Sequence, residues 1–266
     1  MKKLQKYLGW RSVLSMALTL ITLIQLSQQA IAQGNTILAD KTSQTYPAVL
    51  AREVFRLAYL NRYTWDKNFP GYTATVKIKQ GNEEHNGYIK IKPDLSVEVT
   101  GINSADARQT VEEQLQTIVV HRRRIPFEVA HKNHTYTMGK TDDTGAVEIL
   151  EKGDSSDARY KVYNSQITQV NRILGDTSVT VNLLDSVVTP KGYIATRYRT
   201  IFRQPQTAEI LGEREFEDTY QQVGDYYLLK RQVIRDFPKK EPQTTTFIDF
   251  NNIELLPKVS TKKPSK

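Results

Sequence analysis

Tyr72-Thr73-Ala74-Thr75-Val76-Lys77-Ile78-Lys79 is the stretch that settles the fold class. Tyr72, Ala74, Val76 and Ile78 alternate with Thr73, Thr75, Lys77 and Lys79, so the apolar period is 2 and not 3.6. An extended backbone sends successive side chains to opposite faces. A stripe of this kind is therefore a strand with one apolar and one wet face, the mark of an antiparallel sheet.

The same period continues downstream. A turn at Gly81-Asn82 leads to Ile89 and Ile91, which alternate with Tyr88, Lys90 and Lys92. Pro93-Asp94 turns the chain into Leu95, Val97 and Val99. Further strands are expected at Phe127 to His131, Thr135 to Met138, Ala146 to Leu150, Tyr160 to Tyr163 and Gln166 to Ile173. Turn formers at Gly139, Thr144-Gly145, Gly153-Asp154 and Asn164-Ser165 separate them. Longer strands follow around Val179 to Leu183, Ile194 to Phe202, Ile210 to Tyr220, Tyr226 to Arg235 and Thr244 to Ile253.

Two segments carry a helical period instead. Pro47 to Leu60 places Val49, Ala51, Val54, Leu57 and Ala58 near one face, widened by Phe55 and Tyr59. Ser104 to Ile118 starts on an N-cap serine and aligns Ala107, Val111, Leu115 and Ile118. The expected fold is mainly β. It is a large curved antiparallel sheet or open half-barrel, with an N-terminal helix and one inserted helix packed on the concave face.

The ends read differently. Lys2, Lys3, Lys6 and Arg11 precede the mostly apolar run Val13 to Leu26, and Ala30-Ile31-Ala32 follows. This is the order of a cleavable signal peptide spanning residues 1–32, with the cut before Gln33. A membrane anchor would need about 20 apolar residues, and this run is shorter. A flexible segment at 33–45, a single β-rich domain at 46–257 and a basic disordered tail at 258–266 complete the expected organisation. The compartment is the periplasm, or a thylakoid lumen if the source is photosynthetic.

The net charge of +8 sits in those ends, with four cations in the first 32 residues and four in the last ten, and no acid in either. The domain itself is near neutral, which removes the basic face that a nucleic-acid partner requires. The tail offers only a weak, salt-screened contact with an anionic membrane surface. The chain contains no cysteine, so disulfides and thiolate metal sites are excluded.

No catalytic set stands out. There is no Gly-rich phosphate loop and no Gly-x-Ser-x-Gly elbow. The acids Asp142-Asp143 and Glu213 to Glu217 lie in a turn and on a strand with no defined partner, so an enzyme reading rests on nothing specific. Among the four histidines, His131 and His134 are separated by Lys132-Asn133 in a turn, with no third ligand at a recognised spacing; His85 and His121 stand apart. Neither a metal nor a cofactor is expected. The basic run His121 to Arg124 reads as a solvated entry to a strand.

The suggestive feature is the aromatic content of the strands. Tyr gives an apolar wall with a polar tip, which suits a pocket for an amphiphile. The candidate ligand-binding residues are Tyr72, Val76, Ile78, Tyr198, Phe202 and Phe216, together with Arg214 and Arg231. These two arginines interrupt apolar faces, where a charge is costly unless paired or wet. Val54, Leu57 and Ala58 would cover the same surface as a lid or plug.

Two resemblances bear on this. Asn61-Arg62-Tyr63-Thr64-Trp65, Phe69-Pro70-Gly71-Tyr72, His121-Arg122, Gly145-Ala146-Val147-Glu148-Ile149 and Gly224-Asp225-Tyr226-Tyr227 resemble an uncharacterised family of exported proteins found mainly in cyanobacteria. More weakly, the element order and the phrase Gly87-Tyr88-Ile89-Lys90-Ile91-Lys92-Pro93 are similar to the periplasmic lipoprotein carriers of outer-membrane sorting. That second resemblance implies an incomplete barrel closed by helices over a cavity for acyl chains.

The expected function is a non-catalytic carrier or chaperone for an apolar or amphipathic molecule: an acyl chain, a lipid, a pigment or an acylated protein. The alternatives are an assembly factor binding a protein partner, and a hydrolase of the exported compartment. The sequence sets no oligomeric state.

Overall fold

The computed structural model describes residues 41–153 and 157–257. The expected signal peptide, residues 33–40 of the expected flexible segment and the basic tail lie outside the described residues. Residues 41–45, expected to be flexible, are helical, so the first helix begins before Pro47. Helix α1 (Lys41–Leu60) is followed by strands β1 (Tyr72–Gln80), β2 (Glu83–Ile91) and β3 (Val97–Thr100), then α2 (Ala105–Arg122) and the short α3 (Phe127–Ala130). Nine strands follow: β4 (Thr135–Thr141), β5 (Val147–Lys152), β6 (Ala158–Tyr163), β7 (Gln166–Leu174), β8 (Thr177–Thr189), β9 (Gly192–Arg203), β10 (Ile210–Val223), β11 (Tyr226–Pro238) and β12 (Thr244–Leu255).

The strands form one twelve-stranded sheet in the order β3-β2-β1-β12-β11-β10-β9-β8-β7-β6-β5-β4. The order ends on β3 and β4, so the sheet is open and not a closed barrel. This is the mainly antiparallel β architecture, with an N-terminal and an inserted helix, that the alternation predicts. Among the described residues no helix is long and apolar enough to cross a membrane.

The chain divides into two compact units. The first takes the described residues up to Arg62, then Ile125–Ile194 and Tyr198–Glu213; the second takes Tyr63–Arg124, Ala195–Arg197 and the described residues from Arg214.

In the first unit α1 packs on β4, β6 and β7. Its buried face is Ala51, Phe55 and Ala58, which join Phe127, Tyr136, Ile149, Ala158, Tyr160 and Val162 in one apolar cluster, with Val54 and Tyr59 partly buried against it. The Phe55 ring lies 4.3 Å from that of Tyr160 and 5.5 Å from that of Tyr136. Leu57 and Val49, expected on the packed face, are instead 52% and 56% exposed. At 3.6 residues per turn Leu57 sits roughly 200° around the helix from Phe55, so one side chain faces water when the other faces the sheet. The end of α1 is tied to β9, where Tyr193 N–H donates to the Asn61 carbonyl at 2.8 Å. Gly192 makes that approach feasible: its φ is +114°, and a Cβ there would come within 2.3 Å of the Asn61 oxygen.

Phe127 to His131 is not the expected strand. Pro126 opens a short helix there, and the His131 N–H closes it by donating to the Phe127 carbonyl at 2.9 Å. Phe127 is buried while Glu128 and Val129 are both exposed, so period-2 alternation fails.

In the second unit β1 pairs with both β2 and β12, with Ile78 opposite Ile248 and Val76 opposite Phe250. The helix packed on β1 and β3 is α2. It is capped by Ser104, whose hydroxyl accepts from the Ala107 N–H at 3.3 Å, and it buries Ala107, Val111, Leu115 and Ile118 as the period predicts. Trp65 stacks on Phe69 at 4.1 Å, and Phe69 meets Tyr226 edge-on at 5.0 Å.

Candidate functional site

In the first unit the fold brings His131 and His134 onto a carboxylate from a neighbouring strand. The turn after α3 carries both histidines, and the pairing of β4 with β5 places Tyr136 opposite Glu151. Alternation along β5 puts Glu151 on the same face as Ile149, and both are buried. His131 Nδ1 and His134 Nδ1 each lie 2.6 Å from Glu151 Oε1 and 3.3 Å from one another. The Tyr136 hydroxyl donates to the same oxygen at 3.0 Å, and the Tyr160 hydroxyl donates to Oε2 at 2.7 Å. Arg172 donates to the Tyr160 hydroxyl, and its guanidinium stands 3.9 Å from Oε2.

The surroundings hold these groups in place. The His131 ring stacks on Phe127 at 4.9 Å and meets the edges of Phe55 and Tyr59 at 5.2 and 5.0 Å. The His134 ring lies over Gly153, where a Cβ would come within 2.7 Å of Nε2. Burial works against ionising Glu151, but donors from His131, His134 and Tyr160 outweigh it and hold the carboxyl down at about 2. Burial and the neighbouring carboxylate push the Tyr136 and Tyr160 hydroxyls well above the usual phenol range. Among the described residues this is the one cluster of histidine and acid groups whose ligand atoms, all within 4.8 Å of each other, have the spacing of a metal centre. Along the chain no third ligand follows His131 and His134 at a recognised spacing, so the cluster is not visible from the histidines alone. Extending the Ile149 alternation by one step would have placed Glu151 on the buried face, but no local rule aims it at the turn.

The second unit has its own buried polar chain, and it corrects the expectation that His121 to Arg124 is a solvated entry to a strand: His121 and Arg122 form the last turn of α2, and Arg122 is buried. Arg122 Nη2 donates to the Tyr220 hydroxyl at 2.8 Å, which donates to Asp218 Oδ2 at 3.0 Å; Gln232 Nε2 donates to Asp218 Oδ1 at 2.9 Å. Burial pushes the Asp218 carboxyl up to about 6, against the pull of these donors and of Arg122. Gln232 Oε1 and Arg122 Nε are buried with no partner in the structure.

A third feature is apolar. In β7 and β8, Val170 opposes Val181 and Arg172 opposes Val179, while Gln169 opposes Asn182 and Asn171 opposes Thr180. The second set is a polar face: Gln169 Nε2 donates to Asn182, and Asn171 Nδ2 and Arg203 Nη1 both donate to Thr180 Oγ1. With Arg203 on that face, alternation along β9 puts Phe202 and Tyr198 on the other, beside Val179, Val181 and Leu183. Val179, Val181, Leu183 and Tyr198 are only half-buried, although β8 and β9 stand in the middle of the strand order.

The sequence-predicted residues are distributed accordingly. Tyr198 and Phe202 share the half-open apolar face of the first unit, while Val54 and Ala58 pack in its helix cluster. Tyr72, Val76, Ile78 and Phe216 are buried in the second unit, and burial raises the Tyr72 hydroxyl far above the usual phenol range. Arg214 is ion-paired with Asp236. Arg231 does not face the core: Leu228 and Leu229 are both buried, Lys230 and Arg231 are both exposed, and this break in alternation turns Arg231 over the Phe247 ring and toward Asp249 at 3.6 Å.

The family profile described as "Protein of unknown function (DUF3386)" matches residues 47–256. No curated protein matches the chain in sequence. Solved structures similar to it include a DUF1329 family protein from Desulfovibrio piger, 9% identical, covering 79% of this chain and 93% of that one with a TM-score of 0.23. A LolA superfamily protein from Nitrosomonas europaea is 9% identical over 80% and 97% of the two chains, with a TM-score of 0.24. The MucA/MucB complex of Pseudomonas aeruginosa gives 10% identity over 77% and 94%, with a TM-score of 0.21.

Proposed function

The chain belongs to the DUF3386 family, and we propose that this member is an exported, non-catalytic carrier. It holds an apolar or amphipathic ligand on the half-open apolar face of β8 and β9, beside Val170 of β7, which packs against the α1 cluster. The observation that carries this reading is the half-burial of Val179, Val181, Leu183 and Tyr198 on mid-sheet strands whose opposite face is a bonded polar ladder. An apolar sheet face is normally covered by another layer. Left open in a folded protein, such a face marks a binding surface. Tyr198 adds a ring with a polar tip, and Arg172 stands at the margin opposite Val179. That composition fits an acyl chain with a polar head better than a wholly apolar solute.

The test is titration with a dansyl-labelled fatty acid. Saturable binding is expected, and Val181→Asp should weaken it at least about tenfold, because one charge buried against the chain costs more than 1.4 kcal/mol. If the unaltered protein shows no saturable binding of apolar probes, the carrier reading is wrong. A second reading, docking of a protein partner, draws support from the exposed Leu184, Val187 and Val188 at the other end of β8. It predicts that Val188→Asp abolishes partner capture while leaving fatty-acid binding untouched.

A further inference from the structure

We propose that His131, His134 and Glu151 form a divalent-cation site of the zinc type, with three protein ligands and a fourth position left to water. The geometry comes first. Tetrahedral ligands at zinc–nitrogen distances of 2.0–2.1 Å stand about 3.3 Å apart, which is the observed separation of the two Nδ1 atoms. Glu151 Oε1, 2.6 Å from each nitrogen, needs to withdraw by only about 0.9 Å to complete that triangle around an ion.

The cluster held by protons alone is crowded. Both Nδ1 atoms must carry hydrogens aimed at one carboxylate oxygen that also accepts from Tyr136. A single cation between the three ligand atoms removes that competition, because each nitrogen then offers a lone pair and not a hydrogen.

Outer contacts hold the ligands in place. Tyr160 fixes the second carboxylate oxygen, and Arg172 backs Tyr160. Phe127, Phe55 and Tyr59 clamp the His131 ring, and the glycine at 153 leaves room for the ring of His134. Such outer contacts orient ligands and tune affinity. Glu151 is only 2% exposed and His131 is buried, but the His134 side chain is part exposed, which gives an entry path.

The donor set selects the ion. Two imidazoles and one carboxylate, without thiolates, favour borderline cations such as Zn2+ over Ca2+ or Mg2+, which prefer all-oxygen shells. Bound there, the ion ties the turn that carries both histidines to β5, beneath the aromatic face of α1. The site meets the proposed ligand face only through Arg172, which backs Tyr160 and opposes Val179, and the cation proposal does not rest on ligand carriage.

The experiment uses the untagged chain stripped with a chelator, then titrated calorimetrically with ZnCl2 and, separately, with CoCl2 read by visible absorption. About one equivalent of Zn2+ is expected, with a Co2+ spectrum of low coordination number. His134→Ala and Glu151→Gln should each lose more than the roughly 10–100-fold that an outer-shell partner is worth, whereas Tyr160→Phe should lose an amount within that range. Gly153→Ala keeps all three ligands but displaces the His134 ring, so it should weaken binding with the circular dichroism spectrum unchanged; it decides the matter if the buried Glu151 variant fails to fold. The proposal is overturned if the stripped chain takes up no stoichiometric Zn2+, or if His134→Ala and Gly153→Ala bind it as tightly as the unaltered chain.

Discussion

Phe55→Ala and Leu57→Ala, two residues apart on one helix, should differ in cost by several kcal/mol. Phe55 is 1% exposed, with the rings of Tyr160, His131 and Tyr136 at 4.3, 5.2 and 5.5 Å. Removing a buried phenyl group loses its transfer free energy and leaves a cavity that rigid aromatic neighbours cannot collapse into, a loss of about 3–5 kcal/mol. Leu57 is 52% exposed. Truncating it opens no cavity, alanine gains a few tenths in helix propensity, and the net change should stay within about 0.5 kcal/mol. Urea unfolding followed by far-UV circular dichroism measures both. Fluorescence of Trp65 is the wrong probe, because Trp65 belongs to the other compact unit. The loss at Phe55 would be a large part of the stability of an ordinary domain, the size expected if α1 is a fixed cover and not a readily opened lid. Equal costs at the two positions, or a cost below about 1 kcal/mol at Phe55, would refute this placement of the helix.

The remaining predictions concern burial and backbone. Asp218 is raised to about 6 from its usual value near 3.8. The folded state therefore binds its proton more tightly, so this contribution is full below pH 4 and is lost as pH rises through 6. About two pKa units correspond to a loss of roughly 3 kcal/mol. Asp218→Asn should flatten the stability curve between pH 4 and 7, and an unchanged slope would refute the assignment. Gly192→Ala should cost about 1–3 kcal/mol, because a Cβ collides with the Asn61 carbonyl where φ is positive; unchanged thermal unfolding would count against the contact.

Much of the fold was legible because its signals are local. A period of 2 follows from the geometry of an extended chain, and it marked the strands from Tyr72 onward. The hairpin at Asn164-Ser165 was visible as turn chemistry, and both residues take the positive φ that a tight turn between β6 and β7 demands. Ser104 announced α2, and its buried face followed from the helical period. Where two local signals competed, composition misled. Leu57 counts as apolar whichever way it points, and only the rotation fixed by Phe55 sends it outward. Phe127 and Val129 alternate as a strand would, yet Pro126 starts a helical turn.

The sequence by itself determined most of the elements, the segment after Pro126 excepted, and a mainly antiparallel β architecture, because each of these depends on a few neighbouring residues. Tertiary structure alone decided what meets what. It paired β1 with β12 across most of the chain, set α1 on β4, β6 and β7, and turned Arg231 away from the core. It also delivered Glu151 to His131 and His134, 20 and 17 residues away. The physical reason is common to all of these. A carboxylate on a buried strand face needs partners, but which donors reach it depends on strand register and on the path of an intervening turn. Those are set by the packing of the whole unit and not by the spacing of residues along the chain.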